Sequence, residues 1–152
     1  MKHRIVILIC LVAPGAQAAT LCPLVQDLNR VVAGETAYTP VPCPGIGFTA
    51  VPPAQSLRSQ AGAYLPATGR IELAPDLDLA TAYGQSYLLH ELVHAAQYAN
   101  GAAAHMPCPA ALEAEAYSVQ ASFLRAHDLG QQALLVSLLA GQLGSCGMTQ
   151  DY

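Results

Sequence analysis

From Pro23 to Val32 the apolar residues Leu24, Val25, Leu28, Val31 and Val32 recur at helical spacing, and Gly34 stands where a C-cap glycine would end such a run. The pattern predicts a first helix with a structural role. Residues 39–56 then carry Pro40, Pro42, Pro44, Pro52 and Pro53, with a strand candidate, Ile46 to Val51, between them, and read as loop, strand, loop. Next, Ala63-Tyr64-Leu65 and Arg70-Ile71-Glu72-Leu73 flank the turn Pro66-Ala67-Thr68-Gly69, and the second run alternates polar with apolar, which predicts a β-hairpin closed by Pro75. Asp76 or Asp78 can cap a long helix that reaches about Asn100 and stops at Gly101. A loop with Pro107 and Pro109 precedes a helix from about Ala110 to His127, and past Gly130 a last apolar helix runs to about Leu143. Helices packed around a short antiparallel sheet make this a small α+β domain.

The N-terminus departs from that pattern. A basic start (Lys2, His3, Arg4), an apolar run from Ile5 to Val12 and the small-residue site Ala16-Gln17-Ala18 are the three parts of a secretory signal. Residues 1–18 are expected to be removed, leaving 19–152 as a single domain that is secreted or periplasmic. Pro14 and Gly15 stop the apolar run short of the roughly 18 residues a membrane anchor needs, and the longest later run, Ala133 to Ala140, contains Ser137. No anchor is expected after cleavage. Without Lys2 and Arg4, four arginines face ten acidic residues, a formal charge of minus six. That balance offers no basic stripe for a nucleic-acid partner. Four cysteines, Cys22, Cys43, Cys108 and Cys146, stay in the mature chain, and in an oxidising compartment an even number favours two disulfides. Pairing Cys22 with Cys43 and Cys108 with Cys146 would staple local segments and is the expectation; the crossed connectivities stay open. The absence of a Cys-x-x-Cys pair argues against a thiolate metal site.

The long central helix carries His90-Glu91-Leu92-Val93-His94. Residues four apart lie about 40° apart around a helix, so the two imidazoles project from one face, one turn apart, and can chelate one zinc ion. Glu91 flanks that face where its carboxylate reaches the attacking water rather than the metal, the place of a general base. The opposite side, Leu89, Leu92, Val93 and Ala96, is a core stripe. A surface helix that happens to hold these residues is the plainer alternative. A hydrolytic zinc wants three protein ligands and one open position, and the third donor falls to Glu113 or Glu115 on the next helix. These two lie about 200° apart, so at most one faces the metal. Glu113, bordering the core stripe beside Tyr117 and Gln120, has the more site-like company; Glu115 is the alternative.

These residues resemble the gluzincins, metallopeptidases in which His-Glu-x-x-His is followed by a glutamate ligand on a second helix, and most of all their minimal single-domain forms, the minigluzincins. The order Tyr64, hairpin, His-Glu-Leu-Val-His and Glu113-Ala114-Glu115-Ala116-Tyr117 is also similar to that of small secreted bacterial proteins of unassigned function. The likeness covers Tyr64 to Arg125. It implies a zincin-like domain with the metal between two central helices, ligands His90, His94 and Glu113, Glu91 as base, and Arg70 to Leu73 as the sheet edge along which an extended peptide lies. Many gluzincins place an aspartate four residues after the ligand glutamate to orient a histidine. Tyr117 stands there instead, so support for the histidines must be weaker or come from elsewhere.

The expected function is a zinc-dependent hydrolase, a monomeric peptidase or amidase acting on peptide or cell-wall peptide, with zinc as cofactor. A neutral donor to the developing oxyanion would come from Tyr117, Tyr87, Tyr83, His105 or His127, of which Tyr117 and His105 are the catalytic candidates. The alternative is a secreted, non-catalytic binding module with a structural or vestigial zinc site, whose fourth position His105 or Glu115 would close. The proline-rich segment Thr39 to Pro53 is a candidate cover for the cleft.

Overall fold

The run around Pro23 forms helix α1, Gly15–Glu35, longer at its start than the apolar spacing predicts because Ala16, Ala18 and Ala19, good helix formers, extend it ahead of the proline. In the computed structural model, residues 15–49 and 61–146 are described, with side chains from Leu21 onward. Most of the expected secretory signal, residues 1–14, lies outside that range. So does 50–60, which holds the end of the strand candidate and of the proline-rich segment. Described elements then follow in the order β1 Gly45–Phe48, β2 Gly62–Leu65, β3 Arg70–Leu73, α2 Ala82–Ala99, α3 Pro109–Ala126 and α4 Gly130–Leu143, with one 3-10 turn at Ala102–Ala104. The molecule is α+β, as the pattern predicts.

The expected hairpin forms, with Tyr64 opposite Ile71 and Ala63 opposite Glu72. The sheet differs from expectation in two ways. It is mixed, not antiparallel, because β1 pairs with β3 in parallel, Ile46 beside Ile71. Strand order is β1-β3-β2, so Arg70 to Leu73 is the central strand and not the edge. The polar-apolar alternation of β3 reports which face is wet, since Ile71 and Leu73 are fully buried while Arg70 is exposed; alternation carries no information about which strands flank it. The edge strands are β1 and β2.

Helix α2 packs its Leu88, Leu89, Leu92, Val93 and Ala96 into the core with Val25, Leu28 and Val32 of α1, Ile71 and Leu73 of β3, and Ala116, Val119 and Phe123 of α3. Its N-cap is Thr81, whose side chain accepts from the Gly84 N–H, rather than Asp76 or Asp78. Asp78 instead accepts from the Ala80 N–H in the turn ahead of it. The helix ends at Asn100, and Gly101 follows with φ 74°, a left-handed conformation that glycine adopts without cost.

Both expected disulfides are present. Cys22–Cys43 ties α1 to the segment before β1, and Cys108–Cys146 ties the start of α3 to the residue chain after α4, with Cα separations of 5.4 and 6.0 Å. The described part of the proline-rich segment is anchored beside α1, where Asn29 donates to the Val41 carbonyl at 2.7 Å, and at the end of α2, where Asn100 bonds both the N–H and the carbonyl of Thr39. Among the described residues no helix is long and apolar enough to cross a membrane.

Candidate metal centre

The apolar stripe of α2 turns its other side toward α3, and this brings His90, His94 and Glu113 together. The two Nε2 atoms are 3.1 Å apart. The Glu113 carboxylate spans them, Oε2 3.2 Å from His90 Nε2 and Oε1 3.3 Å from His94 Nε2. An ion with tetrahedral bonds of 2.0–2.1 Å separates its ligand atoms by about 3.3 Å, so the cluster has the dimensions to hold a metal ion. Both histidines are buried, at 6% and 9% exposure, while the Glu113 side chain is 37% exposed, so the cluster opens to solvent on the α3 side.

Electrostatics within the cluster are strong. Burial works against the charged form of Glu113, but hydrogen bonds and charge from His90 and His94 outweigh it and hold the carboxyl far below its usual range. Burial likewise opposes the charge on His94, and the hydrogen bond and charge of Glu113 override it, pushing the imidazole up to about 9. Glu91 is outside the three-donor group. It is 6% exposed, and burial pushes its carboxyl up; the charges of His90 and His94 and the backbone N–H of Tyr64 act the other way without cancelling the effect.

Strand β2 supplies that N–H. The Ala74 N–H bonds the Ala61 carbonyl, so by alternation Ala61, Ala63 and Leu65 face β3 while Gly62 and Tyr64 turn their backbone groups to the free edge, beside Glu91. Gly62 lets the strand come this close: a Cβ there would stand 3.0 Å from Glu91 Cγ and Oε1 and from Leu73 Cδ2.

The Nδ1 atoms are held by two glutamines. Gln97 Oε1 lies 2.8 Å from His94 Nδ1, and Gln120 Oε1 3.2 Å from His90 Nδ1. The sequence reading named Gln120 only as a neighbour of Glu113 and missed Gln97, although its place three residues after His94 on one helix was a usable signal. Two neutral amides thus bond the histidines, with Tyr117 at the position where the resemblance led one to look for an aspartate. Glu115 is outside the three-donor group: it receives Gln97 Nε2 at 2.9 Å and the Tyr38 hydroxyl at 2.7 Å.

Tyr117 packs its ring against His90, with centroids 4.5 Å apart. Tyr83 and Tyr87 share a hydrogen bond of 2.8 Å, and burial, followed by that bond, raises the Tyr87 phenol well above its usual range. His105 is exposed at the end of the 3-10 turn and makes no side-chain hydrogen bond, ion pair or ring contact among the described residues. His127 stacks on Phe123 at the far end of α3, centroids 4.3 Å apart. Of the donors expected from sequence, Tyr117 is at the cluster, and neither His105 nor Glu115 is among its ligands.

The family model of a domain of unknown function, DUF6647, matches residues 22–144, which include every residue of the cluster. No curated protein and no solved structure gives a match.

Proposed function

We propose that this chain, which belongs to the DUF6647 family, is a zinc-dependent hydrolase that cleaves amide bonds in peptides. The observation that carries the reading is the placement of Glu91: a buried carboxylate next to a three-donor cluster, and outside it. A purely structural site has no need of such a group. Two imidazoles and one carboxylate are a zinc donor set, and hydrolytic zinc sites keep three protein ligands and an open position. Glu115 and His105, which would have closed that position in a binding module, are engaged or placed elsewhere.

Zinc at His90, His94 and Glu113 would supply a Lewis acid that activates water and polarises a carbonyl. Glu91 takes the proton of the attacking water and passes it to the leaving nitrogen; its raised affinity for a proton suits a base that works near neutrality. Tyr117, on the helix that bears Glu113 and with its ring against His90, is the neutral donor candidate for the oxyanion. An extended substrate would pair with the outer edge of β2, where Gly62 and the Tyr64 carbonyl turn away from β3 beside Glu91 and pair with no strand among the described residues. The two disulfides suit an oxidising, extracellular setting for this activity.

The test compares metal content by mass spectrometry and hydrolysis of a peptide library, including cell-wall peptides, for wild type, Glu113→Ala and Glu91→Gln. Bound zinc lost in Glu113→Ala, with activity lost but zinc kept in Glu91→Gln, is the expected result. Zinc without hydrolysis of any peptide would replace the enzyme with a binding module. A metal-replete protein without zinc would overturn the reading altogether.

A further inference from the structure

An imidazole can offer a metal only the nitrogen that carries no proton, so each ligand histidine needs its other nitrogen protonated. At His94 the direction of every hydrogen can be followed outward from fixed points. The Leu112 carbonyl can only accept, so the Gln97 atom 2.9 Å from it is the amide nitrogen. That nitrogen's second hydrogen points at Glu115 Oε2, also at 2.9 Å. Gln97 Oε1 is left facing His94 Nδ1 at 2.8 Å, and because a carbonyl oxygen only accepts, Nδ1 must donate and Nε2 keeps its lone pair for the cluster. At His90 the relay ends within α2 itself: the Ser86 hydroxyl donates to the Tyr83 carbonyl at 2.7 Å, leaving its oxygen to accept from Gln120 Nε2 at 3.1 Å.

The two relays differ in reach. The one at His94 crosses from α2 to α3 and then, through the Tyr38 hydroxyl, to the segment after α1, 77 residues away in sequence. Gln97 is fully buried, so a misplaced amide would have no water to correct it.

We propose that Glu115, held by Tyr38, is a positioning residue that orients the Gln97 amide and thereby decides which imidazole nitrogen of His94 faces the cluster. The inference rests on the reading of His90, His94 and Glu113 as a metal site. It gives the second glutamate of Glu113-Ala114-Glu115 a role separate from that of the first.

The test uses the full, oxidised protein and two readouts. In metal-free samples with 15N-labelled histidine at pH 10, imidazole nitrogen shifts report the tautomer. Wild type should show His94 protonated at Nδ1, Gln97→Leu and Glu115→Ala should move it toward Nε2, and Glu115→Gln, which keeps an acceptor oxygen, should restore the wild-type state. His90 should stay unchanged in all of them. Zinc affinity by chelator competition should fall about 10- to 100-fold in Gln97→Leu and Glu115→Ala and recover in Glu115→Gln. Should Gln97→Leu fail to fold, the Glu115 pair carries the test. An unchanged His94 tautomer and unchanged zinc affinity in Glu115→Ala would overturn the positioning role while leaving the metal site standing. Wild type that shows the tautomer pattern but binds no zinc would keep the relay and sink the metal reading.

Discussion

Glu91 is the residue on which the proposed hydrolysis depends, and its surroundings are shaped by a residue with no side chain. With Gly62 in β2, the strand backbone lies against the carboxylate. Gly62→Ala puts a methyl 3.0 Å from Glu91 Cγ and Oε1 and from Leu73 Cδ2, and with both side chains buried the strand cannot keep its place without displacing the carboxylate it lies against or the leucine beside it. The expected outcome is a fall in peptide hydrolysis of about 100-fold, the lower end for a lost general base, with zinc content unchanged; equal loss of zinc would show that the strand supports the ligands instead. The pH behaviour of the cluster follows from His94. Zinc must displace its proton below about pH 9, so apparent zinc affinity should rise roughly tenfold per pH unit and level off near pH 9, as chelator competition across pH 6–10 would show. Because the folded-state value lies above the ordinary 6.5, the proton on His94 stabilises the metal-free fold fully below about 6.5, and that contribution is lost as pH rises through 9. His90, Glu91 and His94 were legible because helix periodicity puts the two imidazoles on one face with the carboxylate beside it; Glu113 was only the favoured of two, since periodicity lets one of Glu113 and Glu115 face the histidines without saying which. Gln97 carried only the signal of its place three residues after His94; an uncharged amide belongs to no motif, and the direction in which it points is set only once Leu112 and Glu115 of α3 are in place.

At the scale of elements, helices were easier to read than the sheet. The spacing of apolar residues placed α2, α3 and α4 to within a few residues, with Gly101 and Gly130 as punctuation. The cap of α2 was misplaced because Asp76, Asp78 and Thr81 are all capping types, and only the geometry selects Thr81, whose hydroxyl oxygen accepts from the Gly84 N–H at 3.0 Å. Thr81→Ala should therefore cost about 1 kcal/mol in chemical denaturation, with zinc affinity unaltered because the cap lies more than two turns ahead of His90. A loss of zinc affinity instead would mean that the start of α2 is coupled to its centre. The sheet was harder because pairing is long-range. Nothing in the residues of the strand candidate says that β1, Gly45–Phe48, runs parallel to β3, and once it does, β3 becomes central and the edge beside the cluster passes to β2. A substrate of the proposed hydrolase that pairs with the edge beside the cluster would meet Gly62 and Tyr64, not Arg70 and Glu72.

For the molecule as a whole, the question is what holds α1, a three-stranded sheet and the helices α2, α3 and α4 around one cluster. The sheet and α1 reach the ligands through packing against α2, whereas Glu113 arrives on α3, which α4 covers from behind. The disulfides act on different halves of that arrangement. Cys22–Cys43 closes a separation of 21 residues and contains Tyr38, and Cys108–Cys146 closes 38 residues and contains all of α3 and α4. Loop-closure entropy assigns them about 3 and about 4 kcal/mol. Replacing each pair with serines should lower stability in denaturant by about those amounts. Only the first replacement frees the segment that carries Tyr38, so if the relay from Tyr38 to His94 operates, Cys22→Ser/Cys43→Ser should also weaken zinc binding beyond what Tyr38→Phe does alone. Were the larger loop, Cys108–Cys146, the one whose loss released zinc, the cluster would depend on the anchoring of the start of α3 rather than on the segment after α1.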